Sequence, residues 1–575
     1  MKKLIYIVLG ISFAFTSCDD VLDQQPLGLI SDASVWQDEN LVNTKLNELY
    51  KNSLFLNQAE QAGFNVGLDG NMAGEFRNIG AWQAPFGAST GDIDETGAPA
   101  GAVQYWAYGL VRRCNEFIVN METLSELDAD FKIARIAEAK FLRGYLFFNM
   151  VKRYGGIPII TEPQAIDAPA EELFVFRDTE EDVYNFIISE MKAIEGILPD
   201  KTTNDGTPSK WAAMALRSRA ALYAGSIGEY GTVQLDGVVG IPNADPFWEE
   251  AYNASKALIE QSGHSLYMKH SDPARNYQEL FTDEAANPEV IFSEKFDDEL
   301  NAHSFSLLAM PWPFHGGWGA NFFVFYDTVE LFDFADGSTG KIDRSLVHNQ
   351  EWHVDDFFRN RDPRFVASVF FPETDWQGGK VYFHDNTTNA GSAPPGWSKR
   401  APGKNRNQAN GTGLLLRKRV DEGTEKPIGG TDDTDYIVFR LGETYLNLAE
   451  AAFHLGRTGE ALTAINAIRS RAGMPARTSL TLDNIQQERR VELFAEDQAY
   501  WDLRRWRIAE DVLGGTNLQG LKFTYNGATD KYKIQIRRGA STGPRIFTDR
   551  HYYLPITLNR IADNPNLVEN PGYSD

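Results

Sequence analysis

The chain of 575 residues carries 55 Lys and Arg against 80 Asp and Glu, a formal net charge of −25. A surface this acidic repels phosphate backbones and anionic headgroups, which sets nucleic acid aside as a partner. With 42% hydrophobic and 12% aromatic residues, the composition is that of a folded chain rather than a disordered polar one.

The first element is an export signal. Met1, Lys2 and Lys3 are followed by an apolar run from Leu4 to Phe15 and then by Thr16, Ser17 and Cys18. A basic start, a short apolar run and small residues before a cut site are its three physical parts, and the run is too short for a spanning helix of roughly 20 residues. A cysteine directly after the small residues is what a bacterial lipobox requires, although Phe15 departs from the usual aliphatic residue there. Residues 1–17 are therefore expected as a lipoprotein signal peptide, Cys18 as the lipidated residue, and Asp19–Pro26 as a polar tether. Only Cys114 is then left as a thiol, so no internal disulfide can form. It sits in a helical run and reads as a small core residue.

From there to about Gln261 apolar residues recur at three and four positions. Ile133, Ala137, Phe141, Gly144, Phe148 and Val151 fall on one helical stripe. Thr179 with Asp182 offers a capping box for a helix stopping near Leu198, and Thr207–Pro208 an N-terminus for the next. Between Asp272 and Asp433 the character changes to Gly, Pro, Asn and aromatic residues, with strand-like runs at Val290–Phe292 and Arg364–Phe371. Leu441, Tyr445, Leu448, Ala452 and Leu455 then make a helical stripe, Gly456 breaks it, and Ala461, Ile465, Ile468 and Ala472 make a second. Two helices folded back on each other, with Ala449, Ala451 and Ala452 permitting close approach, form a tetratricopeptide-like unit. The expected fold is mostly α: helical hairpins forming a scaffold over about 31–271 and 434–510, a loop-rich lobe with short strands over 272–433, and a C-terminal tail over 511–575, all in one domain from residue 18.

Catalytic signatures fail on context. Gly87–Gly91 spells a nucleophile elbow around Ser89, but Pro85 before it and Gly97, Pro99 and Gly101 after it exclude the strand and helix that such an elbow needs. Asp92, Asp94 and Gly97 begin like a calcium loop, yet the twelfth position is Val103 where a bidentate Glu is required. A structural calcium there is weakly supported, and no other cofactor is expected. No HExxH, paired CxxC or phosphate-binding glycine loop occurs. Carboxylates are too numerous for counting to exclude a glycosidase pair.

The tryptophans divide by context. Trp36, Trp106, Trp211, Trp248, Trp501 and Trp506 lie in helical patterns and read as core, whereas Trp82, Trp312, Trp318, Trp352, Trp376 and Trp397 lie among Gly, Pro and Asn. A flat indole on a loop suits the C–H face of a pyranose, with polar side chains meeting the hydroxyls. The same rings can instead plug a small core.

Five blocks in order resemble the SusD/RagB family: EAKFLRGYLFFNMVKRYGGIPII from Glu138, GTPSKWAAMALRSRAALYAGS from Gly206, the hairpin from Tyr436 to Pro475, IQQERRVELFAEDQAYWDLRRW from Ile485, and YYLPITLNRIADNPNLVENPGY from Tyr552. The resemblance implies a lipid-anchored protein on the outer face of the outer membrane. Such a protein binds an oligosaccharide or a peptide without catalysis and passes it to a TonB-dependent, SusC-like transporter. Its membrane attachment would be through the lipid alone. The ligand platform is expected on Trp82 and Trp318 with Trp312, and its polar contacts on Asn71, Arg77 and His315. A helical glycoside hydrolase acting at the cell surface is the reading of a different class that stays open.

Overall fold

The computed structural model describes residues 32–54, 68–78, 91–98, 103–165, 167–297, 301–311, 319–376, 379–384, 386–388, 411–423, 431–539 and 544–573. Cys18, Ser89, Trp82, Trp312, His315, Trp318 and Trp397 lie outside them.

The scaffold helices are α1 (Glu39–Ser53), α2 (Leu68–Ala73), α3 (Tyr108–Thr123), α4 (Ala129–Tyr154), α5 (Glu180–Glu195), α6 (Lys210–Tyr230), α7 (Asp245–Gln261), α8 (Pro273–Glu279), α9 (Leu441–His454), α10 (Thr458–Arg471), α11 (Leu482–Glu492) and α12 (Ala499–Arg505). Except for α8, whose Tyr277 packs with Tyr267, Leu280, Phe281 and Ala367 in a small cluster of its own, their buried faces merge into one core running from Val35 to Tyr573. Asp128 caps α4, its carboxylate accepting the Asp130 and Phe131 N–H groups at 2.9 and 3.2 Å. The expected stripe is buried from Ala137 to Val151, but Ile133 is 48% exposed. Cys114 is fully enclosed, and burial pushes its thiol up to about 12.

Two helix starts differ in detail from the sequence reading. Thr179 caps α5 as expected, its Oγ accepting the Asp182 N–H at 3.0 Å, but the Asp182 carboxylate takes the Thr179 hydroxyl instead of completing a box, and the helix ends at Glu195. Helix α6 starts after Ser209, not at Thr207–Pro208, since the extended Ser209 offers its own Oγ to the Ala212 N–H. The α9–α10 hairpin forms as expected. Gly456 turns the chain at φ +70°, a conformation that side chains with a Cβ disfavour, and Ala449, Ala451, Ala452, Ala461, Ile465 and Ile468 lie in the closed seam.

Among the strands are β1 (Phe76–Asn78), β2 (Val290–Glu294), β3 (Phe322–Val324), β4 (Val369–Phe370), β5 (Leu415–Leu416), β6 (Tyr436–Arg440), β7 (Gln519–Asn526) and β8 (Lys531–Arg538). β2 pairs with β6, and a four-stranded sheet runs β1-β3-β5-β4. The expected strand from Arg364 is instead a helix over Pro363–Ser368 followed by the two residues of β4. Asp362 accepts the Arg364 N–H at 2.9 Å and Pro363 occupies the first turn, a start signal that outweighs the apolar run behind it. The lobe has its own aromatic core of Phe332, Phe358, Phe365, Phe371 and Phe523. Trp376 is buried in it and Trp352 packs edge-on against Phe357, so these two loop tryptophans plug the lobe. The tail divides: β7 enters the lobe core, while Phe547, Tyr552, Leu554 and Ile556 return to the scaffold core.

Scaffold and lobe are joined by buried charge. Glu492 receives Arg364 at 2.9 Å, Arg440 at 2.7 Å and Arg471, and Glu289 pairs with Arg440 at 2.8 Å and Arg471 at 3.1 Å. Arg364 also pairs with Asp362 and Glu488, each at 2.7 Å.

Candidate functional site: the strand pair beneath the expected platform

Helix α2 ends in a tight turn at Gly74, whose φ of +76° places the position a Cβ would take only 2.8 Å from Leu518 Cδ1. The positive φ disfavours a residue with a Cβ there, and the Leu518 side chain would have to shift to admit one. The chain then runs into β1, which pairs antiparallel with β3 in the register Phe76↔Val324, Arg77↔Phe323, Asn78↔Phe322. The C-terminal end of β1 is therefore opposite the N-terminal end of β3. Trp82 follows Asn78 by four positions, and Trp318 precedes Phe322 by four. Four residues span at most about 14 Å; Trp82 and Trp318 themselves lie outside the described residues. Nothing in the sequence relates residue 78 to residue 322.

That end of the sheet is held from several sides. Phe76 meets Phe322 edge-on at 5.7 Å, and Phe305 stacks on Phe322 at 5.5 Å. Asp69 accepts the Trp501 indole N–H at 2.6 Å, and Arg545 donates to the Asn71 and Met72 carbonyls at 2.5 and 2.9 Å. Asn71 and Arg77 are 0% and 4% exposed. Asn71 Nδ2 donates to Asn78 Oδ1 at 2.9 Å, and Arg77 Nε donates to the Asn78 carbonyl at 3.1 Å. Both side chains point their polar groups at Asn78 from inside the protein, where burial lowers the Arg77 guanidinium to about 10. Their placement is that of supports for the strand end.

Sequence reasoning passed over Glu75, which sits directly before β1 and is buried. Its carboxylate accepts the Ala495 N–H at 3.2 Å, and its carbonyl accepts the Phe325 N–H at 3.1 Å. Burial pushes the Glu75 carboxyl up to about 8 against the opposing pull of the Ala495 N–H and Arg490. A raised carboxyl binds a proton more tightly in the folded than in the unfolded chain. Its stability contribution is therefore full below the unfolded value near 4.3 and is lost as pH rises towards about 8. Unfolding free energy should fall between pH 6 and 9, and Glu75→Gln should flatten that slope and gain on the order of 2 kcal/mol at pH 9. Urea titrations at the two pH values check this, and parallel pH dependence of both proteins would reject it.

Other acidic groups among the described residues are engaged by the protein's own side chains and backbone. Asp92 is held by Arg550 at 2.6 Å and His551 at 3.1 Å, and Asp94 accepts the Thr96 N–H and hydroxyl. Arg550 and the His551 imidazole thus engage the Asp92 carboxylate, and the described residues contain no group of three or more metal-ligating side chains. A cavity of ≈ 480 Å³ lies between Thr202–Asn204 and Leu280–Val290. On its wall, Asp435 is engaged by Lys295, the Phe296 N–H and Ser293, and Asp283 by Lys269 and Tyr267. Among the described residues no helix is long and apolar enough to cross a membrane.

Comparison with known proteins matches residues 288–573 to the SusD family and residues 103–222 to a family described as starch-binding associating with outer membrane. A SusD-like protein of Bacteroides ovatus is 24% identical over 528 residues, covering 88% of this chain and 83% of its own. A crystal structure of a SusD-like protein from Bacteroides fragilis superposes with a TM-score of 0.75 at 24% identity, over 96% of this chain and all of its own. A laminarin-binding SusD-like protein superposes at 0.63 with 20% identity, over 94% and 100% of the two chains. Two matched segments in the order expected of one architecture, full-length relatives and a shared helical scaffold with its lobe lead to one conclusion: the chain belongs to the SusD/RagB family.

Proposed function

We propose that the protein is a cell-surface glycan-binding lipoprotein, anchored to the outer membrane through Cys18, which captures an oligosaccharide and hands it to a TonB-dependent transporter without cleaving it. The observation that supports the reading is the β1–β3 register, which pairs Asn78 with Phe322 at one end of a braced strand pair, each four positions in sequence from a platform candidate, Trp82 or Trp318. A platform braced in this way loses little ordering entropy when a ligand docks. The family's starch-binding description and the laminarin-binding neighbour supply the ligand class. Asn71 and Arg77 enter as supports of the strand end, and Trp312 and His315 as candidates for direct contact alongside the two platform rings.

The test is calorimetric titration of the mature protein against a panel of soluble β- and α-glucans and other polysaccharides, with assay for new reducing ends in the same samples. Saturable binding without turnover supports the reading. Turnover that disappears on mutating a carboxylate pair would establish a hydrolase instead. Aromatic anchors dominate such sites, so Trp82→Ala should weaken binding about thirtyfold, or about 2 kcal/mol, and leave the melting temperature near that of the parent. Unchanged affinity, or a collapse in melting temperature, would remove Trp82 from the platform. Gentle detergent extraction of native membranes should recover the transporter with the protein, and a solitary monomer would count against the handover.

A further inference from the structure

The outer face of the β7–β8 hairpin runs against the charge of the rest of the chain. Alternation along the two strands sends Leu521, Phe523, Tyr532 and Ile534 into the lobe core and leaves the residues between them on the opposite face. The register is Lys522↔Gln535, Thr524↔Lys533 and Asn526↔Lys531, and directly opposed residues share a face. Lys522, Lys531, Lys533 and Arg537 are therefore interleaved there with Thr524, Asn526 and Gln535. Lys531, Lys533 and Gln535 are exposed. Successive outward residues are about 6.8 Å apart, so the β8 row from Lys531 to Arg537 is about 20 Å long.

Few carboxylates answer these cations. The strand Asn386–Thr388, which pairs with β7, carries no charged residue, and the helix Arg344–Asn349 beside β8 carries no acid. The cap of that helix, Asp343, accepts the Ser345 N–H at 2.7 Å. Trp352 bridges to Tyr532 on the other edge of β8. Next to it, Glu351 accepts the Asn526 amide and the Thr529 hydroxyl, each at 2.9 Å, and Asp355 pairs with Arg359 at 2.6 Å. Asp530, in the hairpin turn, accepts the Tyr525 hydroxyl at 2.8 Å. Glu351 feels both Lys531 and Lys533, but neither lysine forms an ion pair among the described residues.

The chain's excess of acid does not cancel this row. Exposed charges are largely screened beyond about 8 Å at physiological ionic strength, so a ligand lying along β8 meets the local cations. Repeated cations on a flat strand suit a repeated anion, and a rigid surface loses little ordering entropy when a chain lies on it. The Thr524 hydroxyl and the Gln535 amide stand between the lysines, where they can meet sugar hydroxyls. The face has no apolar side chain to enter a bilayer. The rings of Tyr525 and Tyr532 are buried, so nucleic-acid bases have nothing to stack on.

Resting on the reading of the protein as a glycan binder, we propose that the β7–β8 face is a second binding surface, which takes the carboxylate- or sulfate-bearing chain of an anionic polysaccharide. It is separate from the expected platform. The Gln519 N–H donates to Asp327 at 2.5 Å and Gly539 abuts the Phe325 ring, so the hairpin begins past the C-terminal end of β3, whereas Trp318 precedes its N-terminal end.

Calorimetric titration of the mature chain with sodium polygalacturonate and with dextran sulfate tests it. At least one polyanion should bind saturably at low salt and weaken about tenfold or more at about 0.5 M sodium chloride. The double variant Lys531→Glu/Lys533→Glu should bind about tenfold more weakly. Both positions are exposed, so its melting temperature should match that of the wild type, and any neutral glucan binding that Trp82→Ala weakens should be unchanged in it. No binding of either polyanion at low salt, or equal binding by the double variant, overturns the surface and leaves the platform to stand or fall on Trp82→Ala. Binding of phosphatidylglycerol vesicles or duplex DNA as tightly per charge as the polysaccharides would overturn the assignment to a polysaccharide.

Discussion

Trp501→Ala is expected to lower the unfolding free energy by about 3–5 kcal/mol, as large-to-small changes of buried aromatic residues do. The side chain is 1% exposed in the middle of α12, so the substitution empties a volume that the surrounding helices cannot close. Three further losses add to the cavity. The Asp69 carboxylate, which accepts the indole N–H at 2.6 Å, loses that donor. Arg153, Lys152 and Arg504, at 4.3, 4.5 and 4.9 Å from the ring, lose the π face that partly compensates their buried charge. Tyr500 loses its edge-on partner at 5.1 Å. Trp501→Phe separates these terms, because it keeps most of the ring and deletes the N–H; its cost should be about 1–3 kcal/mol. Denaturant unfolding of the two variants gives the comparison, and a cost below about 1 kcal/mol for the alanine would mean that the ring is not part of the core.

The scaffold was legible in the sequence wherever one local signal agreed with the next. Between Leu441 and Ala472 the apolar stripes, the small alanines and Gly456 all favour the same hairpin, and the chain forms it. Reading failed where two signals competed. The run behind Arg364 has strand-like composition, but Asp362 and Pro363 start a helix first. Context left Trp376 open between a surface ring and a plug, and the lobe core takes it, since a ring flanked by turn residues can still point inward. The strand pair under the platform could not be read at all. Its two strands are three residues each and some 240 positions apart, and pairing at that separation leaves no periodic trace. The charged joint between scaffold and lobe was hidden for another reason. Arginines and glutamates spaced along helices normally read as solvated faces, and only the fold shows that Glu289, Arg364, Arg440, Arg471 and Glu492 meet in the interior.

Glu492→Gln should accordingly cost about 3–5 kcal/mol at neutral pH, the range for breaking a buried ion pair by removing one partner. The amide keeps the shape but takes away the charge that Arg364, Arg440 and Arg471 share, and it turns an N–H₂ group towards guanidinium donors. Glu289, which also pairs with Arg440 and Arg471, compensates them only in part, and Arg364 retains Asp362 and Glu488. Burial alone would raise the Glu492 carboxyl; Arg471, Arg440 and Arg364 together overcome it and hold the group well below the usual carboxylate range. A depressed carboxyl contributes stability that is present above its unfolded pKa, near 4.3, and is lost as pH falls towards the folded value. The gap between wild type and Glu492→Gln should therefore be constant from pH 8 to about 5 and should narrow below about 4. Because Arg364 belongs to the lobe and Arg440 and Arg471 to the scaffold, the variant should also release the lobe first. Hydrogen exchange would show this as faster exchange in Phe365–Phe370 than in α9 and α10. A gap that stays the same at pH 3, or exchange that rises equally in lobe and scaffold, would mean that the carboxylate's charge is not what joins them.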